Sequence, residues 1–216
     1  MRKAFLFLYY NRCERSEIMK NKTMDQMVKI VQKKMDNSSA IVDLAYKNLE
    51  KLIQQNPNES KALQQHTVVQ LYPAIALYKA LLASNVEKEA AVAMIDECLC
   101  TIAQGPAKQF RTILKFPGLY KLLPRIYKWM TVNKFGEEVG FKQTFYPTDS
   151  SRCKFDMTHC IYKDYCELHG CPEILRCFCH TDDITSGNMH PKLCWNRTKT
   201  MGEGADCCDF DIFIRK

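Results

Sequence analysis

Apolar residues in the first 135 positions recur at the spacing of amphipathic helices. The capping box Thr23-x-x-Gln26 opens a stripe of apolar residues three to four positions apart. With one interruption, this stripe runs from Met24 to Leu52 and stops at the Asn-Pro pair at 56–57. Because this period matches one face of a helix, the stripe predicts helical structure on both sides of the interruption.

The helical spacing continues beyond this stop. A second helix is predicted over about 59–83, with a kink at Pro73 because proline has no N–H to donate. A third helix begins at the capping box at 84–87 and is expected to end at the Gly-Pro pair at 105–106. Shorter helices follow. The segment 23–135 is therefore predicted to form a small helical bundle or layer.

Beyond residue 135 the hydrophobic pattern changes to a period of two. Cys153, Phe155 and Met157 alternate with polar residues, which predicts a half-buried strand. Two further strands are predicted at 193–200 and 206–215, joined by a glycine hairpin, and a helical stretch precedes them. The order strand–strand–helix–strand–strand predicts an antiparallel sheet covered by helices.

These patterns predict the α+β fold class and three parts of the chain. Residues 1–22 are a leader, residues 23–135 a helical region, and residues 136–216 a cysteine-rich α+β region, the last two packed as one unit. Composition changes at the same boundary. Up to residue 135 there are 21 Lys and Arg against 11 Asp and Glu, and afterwards 10 against 13. The lysines are scattered at helical spacing, which indicates solvated helix faces and no nucleic-acid partner.

The first residues, MRKAFLFLYY, resemble the start of a secretory signal but lack its other features. Their apolar core is short, and no small-residue cleavage site follows. A start at Met19 or Met24 is therefore an alternative. No apolar run is long enough to cross a bilayer, so we expect a cytoplasmic protein with no membrane partner. In that reducing compartment the twelve cysteines are expected to be thiols.

Nine of the twelve cysteines lie beyond residue 135, interleaved with four histidines. Structural zinc sites usually pair cysteines across two to four residues, so that both thiolates face one ion. No two of these cysteines are three positions apart, and the closest match is Cys166-x4-Cys171 near Cys177-x-Cys179-His180. The spacing disfavours zinc. No cofactor is predicted, and a divalent metal stays an open alternative.

The adjacent cysteines Cys207 and Cys208 fall in the last predicted strand, where neighbouring side chains point to opposite faces. Cys208 shares its face with Phe210 and Ile212, so we expect it to be part of the core. Cys207 lies on the other face with Asp209 and is the member of the pair available for chemistry. A disulfide or a shared metal between the two sulfurs is disfavoured because they point apart.

Cys160 is a second candidate thiol, because a helix is predicted to begin directly after it. A helix N-terminus places free N–H groups and partial positive charge beside the sulfur, which lowers the pKa of a thiol. A half-buried cysteine without chemistry explains this position equally well.

Arg197 shares a predicted strand face with Trp195, an arrangement that suits a carboxylate beside an aromatic wall. A solvent-facing strand with alternating charges explains the same residues nearly as well. The pair Asp182-Asp183 could cap the next turn, act as a general base or bind a cation, and the cap is the simplest interpretation.

Three stretches together resemble the L-2-amino-thiazoline-4-carboxylic acid hydrolase family. They are HTVVQLYPAIALYKALL at 66–82, FDMTHCIYKDYCELHGCPEILRCFCHTDD at 155–183 and NMHPKLCWNRTKTMGEGADCCDF at 188–210. The resemblance covers about residues 60–210 and is carried by the combined spacing of the cysteines, acidic residues and glycines. It implies hydrolysis of a cyclic thiazoline amidine to N-carbamoyl-L-cysteine, with a small-molecule substrate.

That chemistry requires a nucleophile or activated water, a proton donor for the departing sulfur, and groups that hold the amidine and the carboxylate. The resemblance implies candidates for each role. The nucleophile is Cys160 or Cys207, the base or amidine partner is Asp183 or Asp209, and the proton donor is His180 or His159. The substrate-binding candidates are His159, Trp195 and Arg197.

Two other functions fit the same residues. One is a ligand-binding or sensor domain with a cysteine-lined pocket and no turnover. The other is a metal-binding interaction module. Release of a thiol from a thiazoline carboxylate distinguishes the hydrolase from both.

Overall fold

The computed structural model describes residues 21–215. The chain divides into two compact units, Met1–Ala91 and Val92–Lys216, and the change of composition near residue 135 falls inside the second. The predicted leader lies outside the described residues, except for Asn21 and Lys22 at its end.

The first unit is helical, as its apolar spacing predicts. Its helices are α1 (Lys22–Lys34), α2 (Ser39–Gln55), α3 (Lys61–His66) and α4 (Tyr72–Ala83). The amphipathic faces of α1 and α2 are buried, and α4 is buried almost all round. A helix that is apolar on every side is typical of a core position.

A π-helical turn, Thr67–Leu71, lies between α3 and α4. Pro73 follows it in the first turn of α4, where a missing N–H costs little. The irregularity expected from the proline is therefore present as a π turn just before it. The Glu59 carboxylate accepts hydrogen bonds from Thr67 and Tyr72 at 2.6 and 2.5 Å.

The first helix that reaches into the second unit is longer than predicted. Helix α5 (Lys88–Ile113) continues through Gly105 and Pro106, so the predicted end at the Gly-Pro pair is wrong. The buried face of the helix continues beyond the proline with Ala107, and this packing offsets the one hydrogen bond that the proline removes. A 3-10 turn and helix α6 (Leu123–Lys134) follow.

The second unit contains a four-stranded antiparallel sheet. Its strands are β1 (Lys142–Phe145), β2 (Arg152–His159), β3 (Leu193–Asn196) and β4 (Cys208–Ile214), in the spatial order β1-β2-β4-β3. Helices α7 (Ile161–Leu168) and α8 (Leu175–Ser186) lie between β2 and β3 in the chain. The predicted order of elements and the α+β class are confirmed.

The register of the sheet confirms the core face predicted for the last strand. On β4, Cys208 lies opposite Met157, and Ile212 lies opposite Cys153. All four side chains are buried. Cys208 is thus a core residue, as expected.

The link between β3 and β4 is not the tight hairpin predicted from its glycines. We call residues 197–207 the connecting segment, and it contains a 3-10 turn, Met201–Glu203. The Asp209 carboxylate accepts the backbone N–H groups of Thr198 and Lys199, both at 2.8 Å. Because those donors are occupied by a side chain, strand β3 ends at Asn196 instead of continuing to residue 200.

No disulfide joins cysteines among residues 21–215, in agreement with the expectation of thiols. Within the same residues, every helix is too short or too polar to cross a membrane.

Candidate active site

A small pocket lies in the second unit between helix α8 and the connecting segment. Its volume is about 200 Å³, smaller than the pockets that hold drug-sized ligands. Cationic, anionic, imidazole and thiol side chains all line it. The lining residues are Arg176, Cys179, His180, Asp183, Arg197, Thr198, Lys199, Thr200 and Glu203.

The helical period of α8 brings its four lining residues to one face. Arg176, Cys179, His180 and Asp183 are spaced three, one and three positions apart, and residues at such spacing are neighbours on a helix surface. The buried side of α8 carries Leu175 and apolar neighbours instead. Because α8 is amphipathic, its apolar side packs into the core and its four lining residues face the pocket.

Gly202 lets the connecting segment approach α8 closely. A Cβ at this position would lie 2.9 Å from the Cα of Arg176 and 2.9 Å from the sulfur of Cys179. Only glycine fits without displacing one of the two elements. Gly202, the first glycine of the G-x-G run, therefore lets the connecting segment lie against α8 beside the pocket.

Cys179 is the acidified thiol of the pocket, with a pKa lowered to about 7. The largest cause is a hydrogen bond from the thiol of Cys208, and Arg197 and the Thr200 side chain also favour the thiolate. Burial and the charge of Asp182 oppose the shift. The surroundings of Cys179 therefore favour its thiolate form.

Cys208 is the proton-donating member of this sulfur pair. Its pKa is raised, first because its proton is shared with Cys179 and second because it is buried. Its sulfur also accepts the backbone N–H of Met201 at 3.2 Å. The core residue on β4 thus also influences the pKa of the thiol on α8.

The guanidinium of Arg197 lies close to Cys179 and is fixed by three contacts. It pairs with Asp182 at 3.1 Å and Asp183 at 2.7 Å, and donates to the carbonyl of Cys179 at 2.9 Å. Only 3% of its side chain is exposed. These contacts leave little capacity for a substrate carboxylate, so the geometry supports a positioning role for Arg197 instead of the binding role expected from the sequence.

Asp182 lies beside Arg197 and has a raised pKa of about 6. Although 48% of its side chain is exposed, the protein packed around it removes enough hydration to outweigh the attraction of Arg197. The neighbouring charge of Asp183 raises the pKa further. Of the two acids, Asp183 lines the pocket and Asp182 does not.

Two other cations line the pocket, and they differ in how they are paired. Lys199 donates to Asp206 at 2.7 Å, and this hydrogen bond raises its pKa. Arg176 is exposed, and no carboxylate within residues 21–215 pairs with it. Arg176 is therefore the cation best placed to receive an anionic group.

His180 is oriented by a residue far away in the sequence. Its Nδ1 lies 2.7 Å from the carboxylate of Asp96 on α5. Such a carboxylate–imidazole pair fixes the ring and favours one tautomer, as in sites where a histidine moves protons.

Cys160 lies directly before α7, as predicted, and of its two interpretations the acidified thiol disagrees with the structure. Burial raises its pKa to about 12, although the backbone N–H groups of Tyr162 and Lys163 favour the thiolate. Its neighbour His159 forms an ion pair with Asp164 at 2.8 Å. Neither residue lines the pocket.

Cys207 and Asp209 also lie outside the pocket lining. Cys207 is only 6% exposed, and burial is the largest cause of its raised pKa. Burial would also raise the pKa of Asp209, but hydrogen bonds from Thr198 and Lys199 prevail and lower it. Asp209 holds the connecting segment in place through these hydrogen bonds.

The pocket therefore contains part of the predicted site and adds residues that were not predicted. His180, Asp183 and Arg197 line it, and Trp195 contacts it through a hydrogen bond from its indole N–H to Asp183 at 3.2 Å. Cys179 and Arg176 were missed, although their spacing from Asp183 on one helix face could have indicated them. Asp96 gave no local signal.

The fold is α+β, and its pocket brings a thiol of lowered pKa together with cationic and anionic side chains. The model of the L-2-amino-thiazoline-4-carboxylic acid hydrolase family matches residues 61–212. The chain belongs to this family, and the matched segment contains every residue of the pocket. Comparisons with curated proteins and with solved structures found no significant match.

Proposed function

We propose that the protein hydrolyses a 2-amino-thiazoline carboxylate, opening L-2-amino-thiazoline-4-carboxylate or a close relative to an N-carbamoyl-cysteine. The observation that supports this most strongly is the acidified thiol of Cys179 in a small charged pocket. Membership of a family named for this hydrolysis supports the same substrate class.

The pocket offers a partner for each charged part of this substrate. Arg176 is the cation available for the carboxylate, because Arg197 is enclosed by its own partners. Asp183 can accept hydrogen bonds from the amidine nitrogens, although it must share them with Arg197 and Trp195. A volume of about 200 Å³ suits a single small heterocycle.

In the first step, the Cys179 thiolate adds to the amidine carbon between the ring sulfur and nitrogen. The ring nitrogen takes up the displaced electron pair and a proton. Collapse of this adduct breaks the bond from the carbon to the ring sulfur, and His180 protonates the departing thiolate. The product of this step is an isothiourea linking Cys179 to the opened substrate.

In the second step, water adds to the isothiourea carbon while His180 accepts a proton. The Cys179 thiolate then leaves and a urea carbonyl forms, which gives the N-carbamoyl-cysteine. The two steps add one water and release no ammonia. A thiol with a pKa of about 7 serves well in both steps, because it is ionised for attack and departs readily.

The test is turnover of a thiazoline carboxylate, with the N-carbamoyl product measured by chromatography and mass spectrometry. We expect turnover by the native chain, and a loss on the order of a thousandfold in Cys179→Ser, because a serine hydroxyl is not ionised near neutral pH. Cys194→Ser is the matched control and should retain activity, since Cys194 does not line the pocket.

Full turnover by Cys179→Ser would refute the covalent route. Tight binding of the thiazoline without product from the native chain would refute hydrolysis and favour a ligand-binding domain.

A further inference from the structure

Next to the pocket, three metal-binding types of side chain meet. Asp96 and Cys100 on α5 and His180 on α8 each place one ligand atom within 4.8 Å of the other two. A carboxylate oxygen, a sulfur and an imidazole nitrogen are the three ligand types that zinc accepts. Of these three residues, the hydrolysis proposed above uses only His180 as a reacting group.

Helix geometry brings these residues together from distant parts of the sequence. Asp96 and Cys100 are four positions apart on α5, so they lie on one face, one turn apart. Helix α8 places His180 against that face, and the hydrogen bond of 2.7 Å to Asp96 shows how closely the two helices meet there.

For two of the three ligand atoms the separation is close to that which a tetrahedral ion requires, and the Cys100 sulfur lies within 4.8 Å of both. Zinc–nitrogen and zinc–oxygen bonds of about 2.0–2.1 Å at a tetrahedral angle place the two ligand atoms about 3.3 Å apart. The present distance between the Nδ1 of His180 and the carboxylate oxygen of Asp96 is 2.7 Å. An ion can therefore replace the shared proton if the two atoms separate by only ~0.6 Å.

The ligand side chains are partly exposed to solvent, and a buried contact lies beside them. The side chains of His180 and Asp96 are 45% and 34% exposed, which leaves an entry path for an ion. Cys177 on α8 is fully buried and donates to the backbone carbonyl of Val92 on α5 at 3.8 Å. This buried contact joins the two helices that carry the three ligand side chains.

We propose that Asp96, Cys100 and His180 form a binding site for a zinc-class divalent ion. Three protein ligands leave the fourth position of a tetrahedral ion for water. The thiolate selects zinc or cobalt over magnesium and calcium, which prefer oxygen ligands. This inference goes beyond the proposed hydrolysis and does not depend on it.

The test uses the full chain, stripped with a chelator and titrated with Co²⁺ and then Zn²⁺. We expect about one ion per chain by elemental analysis, and a charge-transfer absorption from a cobalt–thiolate bond. Cys100→Ser should abolish this band, and His180→Gln should weaken binding at least tenfold. Cys194→Ser, a thiol outside the cluster, should retain the full band. Circular dichroism verifies that each variant is folded.

Absence of bound Co²⁺ and Zn²⁺ in the native chain would overturn the proposal, as would an undiminished cobalt–thiolate band in Cys100→Ser. Because binding is measured without substrate, its failure is distinct from a failure of thiazoline hydrolysis. Cys179→Ser, which should lose turnover, is expected to bind the ion normally.

Discussion

Two cysteines of the second unit differ in a way that general rules of thiol acidity do not anticipate. Cys160 lies at the N-terminus of α7, the position that is expected to favour a thiolate. Cys179 lies inside α8, where the helix offers no such help. Yet the pKa is about 12 for Cys160 and about 7 for Cys179.

The difference lies in the hydrogen-bond donors and in the balance with burial. Both thiols lose hydration, which raises the pKa. Cys160 receives only backbone donors, and these do not offset burial. Cys179 receives a thiol donor and a hydroxyl donor and lies near a guanidinium, all supplied by residues later in the chain. A reactive cysteine is therefore recognised by its tertiary partners more than by its place on a helix.

The largest difference that we expect between the two cysteines is in their rate of alkylation by iodoacetamide. At neutral pH we expect Cys179 to react about a hundredfold faster than Cys160, since its larger thiolate fraction outweighs its lower intrinsic nucleophilicity. The rate at Cys179 should rise with pH, half-maximal near the pKa of about 7, because the thiolate is the attacking form. Peptide mass spectrometry resolves the two sites, and equal rates would contradict the comparison.

A second test uses a substitution that should push the connecting segment away from α8. In Gly202→Ala the new Cβ would lie 2.9 Å from both the Arg176 backbone and the Cys179 sulfur, so we expect a loss of about 1–3 kcal/mol of unfolding free energy. Alkylation of Cys179 should also change. Urea denaturation and the alkylation assay measure the two effects.

Gly204→Ala is the matched control for this substitution. Gly204 has a positive φ of 90° but no atom within 4 Å of its Cβ position, so alanine costs backbone strain alone, about 1–2 kcal/mol. Its alkylation rate at Cys179 should remain that of the native chain. An unchanged rate in Gly202→Ala as well would show that the close approach has no effect on the thiol.

The smallest expected effect concerns the sulfur pair itself. Cys208→Ala removes the main donor to Cys179, so the pKa of Cys179 should rise by about one unit and its alkylation near pH 7 should slow about fivefold. Cys153→Ala removes a buried thiol from the same sheet face without touching that donor. A native pKa in Cys208→Ala, read from the pH profile, would assign the acidification to Arg197 and Thr200 instead.

The fold could be predicted wherever one local period dominates. The alternation around Phe155 and the stripe that includes Leu49 both led to the correct element. The predicted end of α5 near Pro106 was wrong, because the sequence pattern did not show that packing would stabilise the helix beyond this proline. It also failed at Thr198, whose backbone N–H bonds to the Asp209 side chain and not to a strand.

The site was predictable only in part, for a related reason. His180, Asp183 and Arg197 belong to the stretches that resemble the family, and they meet in the pocket. The acidity of Cys179 depends on Cys208 and Thr200, and the orientation of His180 depends on Asp96, 84 positions away. Such pairings form only when α5, α8 and β4 pack against one another. No local sequence motif predicts this packing.

The sulfur pair also sets the order in which reactivity develops during synthesis. Residue 179 leaves the ribosome before Arg197, Thr200 and Cys208, the groups that make its sulfur acidic. Until β4 joins the sheet, the groups that lower the pKa of Cys179 are not all in place, so we expect the pKa of its thiol to be close to that of a free cysteine. We expect the alkylation rate of Cys179 to change when β4 joins the sheet, and this change can report the moment at which the native fold is complete.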